Sequence, residues 1–229
     1  MPSGKRAAPR AVPPRLVAAL VVAALTLPVA GFAAAGPGRQ WLTMLLAPEG
    51  SQPARPASPQ ACAREIQAGR TTLGVARTGV AHWEAHVQAR TDLLSGENTA
   101  AETDAIWSRT RLAGPSDLRR FRRADSGYRR VASPACSRPG GGWSGARSEV
   151  VHACSTRARL TTRAVAASRA AIADWQSHQA NMAAFADHEF GVRHAQRMWE
   201  KAWSTASPNI NAFHRALRRL RQAPSCPQG

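Results

Sequence analysis

The chain has 229 residues, of which 31 are lysine or arginine and 14 are aspartate or glutamate, so its formal net charge at pH 7 is +17. Such a charge predicts attraction to anionic surfaces and carries no information about the fold. The sequence contains no G-x-S-x-G, no glycine-rich phosphate loop before a helix and no outstanding carboxylate pair. Without these motifs for hydrolase, kinase or glycosidase chemistry, we expect a non-enzymatic protein.

The N-terminal 35 residues have the composition of an export segment. Basic but no acidic residues precede an uncharged run from Leu16 to Ala35, which ends in small residues. A basic region, an apolar region and a small-residue cleavage site are typical of a signal peptide. A run of about 20 apolar residues is also long enough for a membrane anchor. We therefore expect residues 1–35 to be a signal peptide or an N-terminal transmembrane anchor, and the remainder to be extracytoplasmic.

The rest of the chain is predicted to be a stalk followed by two copies of one unit. Residues 36–57 are rich in proline and glycine, which is typical of a linker-like stalk. The segments 58–136 and 148–226 match each other at an offset of 92 residues, and a glycine-rich linker, 137–147, joins them. The equivalent pairs include Cys62 and Cys154, Trp83 and Trp175, His86 and His178, Trp107 and Trp199, and Phe121 and Phe213.

Each copy is predicted to be a hairpin of one long helix and two shorter ones. In the first copy Ser58 and Pro59 start a helix whose apolar residues follow a heptad pattern, and Ser95 with Gly96 ends it. A capping box formed by Thr99 and Glu102 opens the second helix. Gly114 and Pro115 are expected to end that helix, and Ser207 with Pro208 to restart the last helix of the second copy. The predicted fold is all-α, with two tandem helical hairpins packed as one bundle.

Four cysteines bound the two copies. A two-residue deletion aligns Cys136 with Cys226, so each copy opens and closes with a cysteine. An even number of cysteines in an exported domain predicts disulfides. We expect Cys62 to pair with Cys136 and Cys154 with Cys226, because a copied unit that closes itself needs no new partner. The swapped pattern, Cys62 with Cys226 and Cys136 with Cys154, remains an alternative.

Arginine is concentrated near the end of each copy, off the apolar stripe of the last helix. The candidate polyanion-binding residues are Arg119, Arg120, Arg122, Arg123, Arg215, Arg218 and Arg219. One interpretation is a solvated face on an arginine-rich protein. The functional interpretation is contact with anionic lipid headgroups or an acidic cell-wall polymer. Nucleic acid is not expected, because no winged-helix, zinc-finger or RNA-binding signature is present.

Histidines at equivalent positions suggest a metal site. His82 and His86 share a helix face at a spacing of four, and Asp174 and His178 are their equivalents. If the two long helices are neighbours, these four side chains form a possible ligand set for zinc or copper. The heptad pattern favours a different interpretation, in which His82 and His86 lie on a half-exposed flank of the seam. No cofactor is expected in that case.

Tryptophans at seam positions are expected to belong to the core, with a ligand pocket between the copies as the alternative. The repeated W-x-x-H, followed by a second tryptophan and then a basic helix, resembles uncharacterised exported helical-repeat proteins of high-GC actinobacteria. The resemblance implies export and a helical fold, and it gives no information about activity. The sequence therefore predicts a domain that binds an anionic envelope component or a protein partner, with metal binding as the alternative.

Overall fold

The computed structural model describes residues 58–138 and 147–226. The predicted signal or anchor, the stalk and most of the linker lie outside these residues. The described chain forms four long helices: α1 (Pro59–Ser95), α2 (Ala100–Val131), α3 (Ser148–Ala186) and α4 (Val192–Arg221). A short 3-10 helix, Pro134–Ser137, follows α2. The prediction of an all-α bundle is confirmed, and neither described range contains a strand.

The helix ends follow from local sequence. The Ser58 side chain accepts a hydrogen bond from the Ala61 N–H at 3.2 Å, and Pro59 occupies the first turn of α1. Thr99 and Glu102 form the predicted capping box of α2. Gly96 ends α1 with φ of 79°, a left-handed conformation that glycine adopts without strain. Both predicted boundaries of α1 are therefore confirmed.

The predicted breaks at Gly114–Pro115 and Ser207–Pro208 are wrong, because α2 and α4 continue through them. A proline has no N–H, so Pro115 leaves the Arg111 carbonyl without its usual helical donor. The Gln179 side-chain amide of α3 donates to that carbonyl at 3.3 Å. Gly114 makes room for this contact, because a Cβ there would overlap the Gln179 side chain. Each copy therefore has two α-helices rather than three.

Helices α1 and α3 form the centre of the bundle and run parallel and in register. Gly69 faces Thr161 near the start of the two helices. Further along, Trp83 stacks on Trp175 and His86 bonds to His178, and all three contacts join residues 92 positions apart. Only parallel helices keep one offset along their length, since antiparallel helices bring equivalent residues together at a single crossing. Small buried residues allow the close approach, namely Gly69, Ala76 and Gly79 on α1 and Ser168 and Ala171 on α3. Helix α2 packs mainly on α1, and α4 mainly on α3.

The two disulfides close the two hairpins at one end of the bundle. Cys62 pairs with Cys136, and Cys154 pairs with Cys226. This is the expected connectivity, and the swapped pattern is wrong. Bridges of this kind persist in oxidising, extracytoplasmic compartments. Among the helices of the two described ranges, none has the combined length and apolar character that crossing a membrane requires.

Candidate functional site

A pair of buried histidines joins the two copies. The Nε2 atoms of His86 on α1 and His178 on α3 lie 3.1 Å apart. His86 is 3% exposed and His178 is 1% exposed. The interpretation of His86 as a residue of a half-exposed flank is therefore wrong, since the parallel neighbour α3 and the covering helix α2 enclose this side of α1.

Aromatic rings surround the histidine pair. Trp83 and Trp175 are fully buried and stack with ring centroids 5.0 Å apart. Each tryptophan ring also faces the histidine of the other copy, with centroid distances of 5.0 Å and 5.3 Å. The Trp107 indole N–H donates to the His86 carbonyl at 3.0 Å and so fixes α2 against α1. The expectation that Trp83 and Trp175 belong to the core is confirmed.

The hydrogen bonds assign the protons of the pair. The Thr110 hydroxyl lies 2.9 Å from the Ile106 carbonyl and 3.1 Å from the Trp107 carbonyl, and these oxygens accept its single proton. His86 Nδ1, 2.8 Å from that hydroxyl, is therefore the donor in their hydrogen bond. His86 Nε2 is then an acceptor.

The same reasoning extends to the second histidine. Because His86 Nε2 carries no proton, His178 Nε2 donates across the pair and His178 Nδ1 is left as an acceptor. Position 202, the equivalent of Thr110, is alanine. His178 Nδ1 consequently has no hydrogen-bond partner among the described residues, although it is fully buried. A buried polar atom without a partner costs free energy and calls for an explanation.

Burial keeps both imidazoles neutral. It lowers the pKa of His86 to about 3, and the neighbouring His178 and Arg111 act in the same direction. Burial likewise lowers the pKa of His178 to about 4. The pair is therefore uncharged at neutral pH and can exchange hydrogen bonds without a buried charge.

A cavity of about 160 Å³ adjoins the pair and is lined by residues of all four helices. Its aromatic walls are Trp107, Trp199 and Trp203, with Met182 beside them. The indole N–H groups of Trp199 and Trp203 are buried and, within the described part of the chain, without a hydrogen-bond partner. Trp107 and Trp199 are only half-buried, so the prediction that they belong to the core is inaccurate for them.

The predicted set of four metal ligands is not assembled. His82 Nδ1 bonds to Asp117 at 2.6 Å, whereas Asp174 accepts from the Asn209 side-chain amide at 2.7 Å. Asp117 and Asn209 are themselves equivalent positions, so each copy uses this pair to bind its own neighbouring helix. Among residues 58–138 and 147–226, no group of three or more His, Cys, Asp or Glu side chains is placed to hold a metal ion.

The predicted arginines are exposed on the outer helices α2 and α4, and they differ in whether they have an acidic partner. Arg120 forms an ion pair with Asp117 at 2.7 Å. Exposed arginines at helical spacing line one groove on α2 with Ser126, and we call this surface the arginine groove; its arginines are Arg119, Arg122, Arg123 and Arg130. None of the four forms an ion pair with a described residue.

The second arginine face, on α4, is a weaker match to the first than the sequence suggested. It consists of Arg215, Arg218 and Arg219, all exposed. Of the groove arginines only Arg123 has an arginine, Arg215, at the equivalent position. Arg119, Arg122 and Arg130 correspond to Asn211, His214 and Gln222. The groove is thus a feature of the first copy rather than of the repeated plan.

The metal hypothesis brought His86 and His178 together as ligands, but sequence reasoning missed their direct hydrogen bond and the role of Gln179. The constant offset of 92 between the two W-x-x-H motifs was a signal for the first, had the long helices been taken as parallel and in register. Nothing in the local sequence points to the second.

Fold and site together define a disulfide-closed four-helix bundle whose two halves meet at a buried histidine and tryptophan cluster. Comparisons with protein-family models, with curated proteins and with solved structures find no match to this chain. The resemblance to exported actinobacterial repeat proteins therefore stays a prediction.

Proposed function

We propose that this protein is an exported, non-enzymatic domain that binds an anionic component of the cell envelope through the arginine groove. The observation that carries the proposal is the clustering of four exposed arginines on one face of α2 without a carboxylate partner in the described chain. Arg130 donates one N–H to the Ser126 hydroxyl at 3.0 Å, and no other guanidinium N–H of the four has an acceptor among the described residues. These donors can therefore bind a phosphate or carboxylate. Anionic lipid headgroups and acidic wall polymers share these groups and are accessible to an exported domain.

The position of the groove supports this function. It lies on an outer helix, so contact with an extended polymer or a membrane surface does not disturb the core. The chain after residue 35 carries 27 basic and 14 acidic residues, which leaves a formal charge of +13 on the exported part. This overall charge adds long-range attraction, whereas the groove supplies the local site.

The test is binding of the oxidised protein to anionic phosphatidylglycerol vesicles and, separately, to a poly(glycerol phosphate) wall polymer, with neutral vesicles as reference. Near an anionic surface a basic residue contributes about 1 kcal/mol, so the triple variant Arg119→Gln/Arg122→Gln/Arg123→Gln should lose on the order of a hundredfold in affinity. Binding should also weaken steeply with salt, because the screening length is about 10 Å at 0.1 M.

The matched control is Arg215→Gln/Arg218→Gln/Arg219→Gln on α4, which removes the same charge from another surface. We expect it to retain most of the binding. Equal losses in both triple variants would show a general effect of net charge and would contradict a site at the groove. Comparing the affinities for the vesicles and for the polymer shows which of the two the groove binds. Binding to neither would contradict an anionic ligand and leave a protein partner as the alternative.

We further propose that residues 1–35 are the export segment, either a cleaved signal peptide or a transmembrane anchor. Secretion and anchoring by a single helix differ in whether this segment is removed. The mass of the protein recovered from the envelope fraction decides between them.

A further inference from the structure

A second basic groove lies where the end of the first copy meets helix α3 of the second copy, and we call it the junction groove. Residues between Tyr128 and Arg138 form one wall, and α3 forms the other. The groove is open to solvent and has a volume of about 630 Å³, which is within the range of small-molecule clefts. Five arginines line it, namely Arg129 and Arg138 on the first wall and Arg159, Arg163 and Arg169 on the second.

Three of these arginines have no acidic partner. Arg138, Arg159 and Arg163 are exposed, and none of them forms an ion pair with a described residue. Arg159 and Arg163 are four residues apart on α3, so their side chains are neighbours. The linker 139–147 contains no aspartate or glutamate to neutralise these charges. Within the described chain one carboxylate lines the groove, that of Glu65, which is 1% exposed and already accepts hydrogen bonds from protein groups.

The other two arginines are held in place by one carboxylate. One oxygen of Asp125 accepts from Arg129 Nε at 2.8 Å, and the other accepts from Arg169 Nε at 2.8 Å. This contact joins the two walls, because Arg129 belongs to α2 and Arg169 to α3. Arg129 uses only its Nε in this bond, so its two terminal nitrogens stay available to a ligand. Cations that are already fixed bind an anion at a lower entropic cost than mobile side chains do.

The chemistry of the junction groove favours linked phosphate groups. A guanidinium donates two parallel N–H bonds to phosphate oxygens. One phosphate group carries at most about two negative charges, which is fewer than the three unpaired arginines. We propose that the junction groove binds a diphosphate, with one phosphate group facing each wall. The arginine groove presents its four arginines from α2 alone, so it suits an extended surface instead.

The test is calorimetric titration of the full-length oxidised protein with inorganic pyrophosphate and with inorganic phosphate at equal ionic strength, in buffer without divalent metals. An exposed charge pair contributes up to about fivefold in affinity, so we expect one-to-one binding of pyrophosphate about tenfold tighter than that of phosphate. The absence of saturable pyrophosphate binding at about 0.1 M salt would overturn the proposal. Equal affinity for the two anions would also overturn it.

The variant Arg159→Gln/Arg163→Gln removes two cations from the α3 wall and should weaken pyrophosphate binding on the order of tenfold. The matched control, Arg218→Gln/Arg219→Gln, removes the same charge from α4 and should retain the binding. All four side chains are exposed, and glutamine has nearly the helix propensity of arginine, so both variants should fold. Equal losses would indicate an effect of net charge and would contradict a site in the junction groove.

The variant Arg138→Gln tests the opposite wall. It should weaken pyrophosphate binding by about threefold and phosphate binding by less, because only the diphosphate spans both walls. An unchanged preference for pyrophosphate would contradict a ligand that bridges them.

Uridine diphosphate and geranyl diphosphate carry the same group on a nucleoside and on a lipid-like chain. Tighter binding of either one than of free pyrophosphate identifies the source of the diphosphate, and equal binding of all three indicates the free anion.

The junction groove and the arginine groove are tested separately. The triple variant Arg119→Gln/Arg122→Gln/Arg123→Gln should bind pyrophosphate as the unaltered protein does, and a loss there would contradict a site in the junction groove. Failure of pyrophosphate to bind would leave the proposed envelope binding untouched, because vesicles and wall polymer measure that binding at another surface.

Discussion

Glu65 and Arg157 occupy equivalent positions in the two copies and differ in the sign of their charge. Each forms hydrogen bonds to the backbone just before the last cysteine of its own copy. Glu65 accepts from the backbone N–H of Ser133 at 2.9 Å, shortly before Cys136. Arg157 donates to the carbonyl oxygens of Ala223 and Pro224, both at 2.9 Å, shortly before Cys226. Each side chain therefore positions the segment that carries the closing cysteine of its copy.

The first prediction concerns the charge of Glu65. Burial raises the pKa of this carboxyl, although hydrogen bonds from Ser133, Tyr128 and Thr162 oppose the shift. The folded state thus holds the proton more tightly than the unfolded state, and the contribution of Glu65 to the free energy of unfolding should fall as pH rises from about 4.5 through the folded-state pKa. Glu65→Gln should remove this fall, as measured by urea unfolding between about pH 4 and 8.

The control for Glu65→Gln is Glu149→Gln, which alters an exposed residue in the first turn of α3. It should leave the pH dependence of the unfolding free energy as it is in the unaltered protein. Parallel curves for Glu65→Gln and the unaltered protein would show that the two states bind this proton equally.

The second prediction tests the close approach of α1 and α3. A Cβ at Gly69 would overlap the Thr161 side chain, whereas at Gly74 it would meet no atom within 4 Å. Gly74→Ala should stabilise the protein by up to about 1 kcal/mol through helix propensity. Gly69→Ala has the same propensity gain, but overpacking should make it destabilising by about 1–3 kcal/mol. Chemical unfolding measures both, and equal effects would contradict the in-register contact.

The third prediction concerns His188, which occupies the position equivalent to Gly96. Both residues adopt the left-handed backbone conformation, with φ of 60° at His188 and 79° at Gly96. This conformation costs a non-glycine residue on the order of 1 kcal/mol. His188→Gly should therefore raise the free energy of unfolding by about 0.5–1 kcal/mol, and the reciprocal change Gly96→Ala should lower it by a similar amount. Thermal unfolding checks the pair, and a loss of stability in His188→Gly would indicate that its side chain makes a stabilising contact.

Much of the fold was predictable because its signals are local. Ser58, Gly96 and the pair Thr99 with Glu102 act within one or two helical turns, so the sequence contains the whole interaction. The cysteine layout likewise predicted both bridges once each copy was taken as a closed unit.

The errors have a non-local cause. Whether Pro115 ends a helix depends on Gln179, which lies in the other copy and replaces the lost donor. The burial of His86 depends on two neighbours at once, since α1 packs against both α2 and α3. A helix enclosed on two sides has a buried stripe wider than the a and d positions of one seam. The heptad pattern alone therefore placed His86 on a flank.

The last prediction concerns the pH dependence that the histidine pair should confer. The pKa is lowered from 6.5 to about 3 for His86 and to about 4 for His178. As pH falls below 6.5 the unfolded chain takes up both protons, while the folded chain remains neutral until these lower values are reached. The unfolded state thus binds more protons at these two positions, and the contribution of the pair to the free energy of unfolding should decrease as pH falls from about 6.5 to about 4.

The double variant His86→Leu/His178→Leu removes the titration and keeps a similar side-chain volume. Because one pKa unit corresponds to about 1.4 kcal/mol, the unaltered protein should lose several kcal/mol more than this variant over that range. Urea unfolding at a series of pH values measures the difference. His152→Leu, which replaces an exposed histidine on α3, should follow the unaltered protein. Identical pH dependence in the double variant would mean that the folded pair takes up protons as readily as the unfolded chain, and it would contradict the neutral hydrogen bond between the two copies.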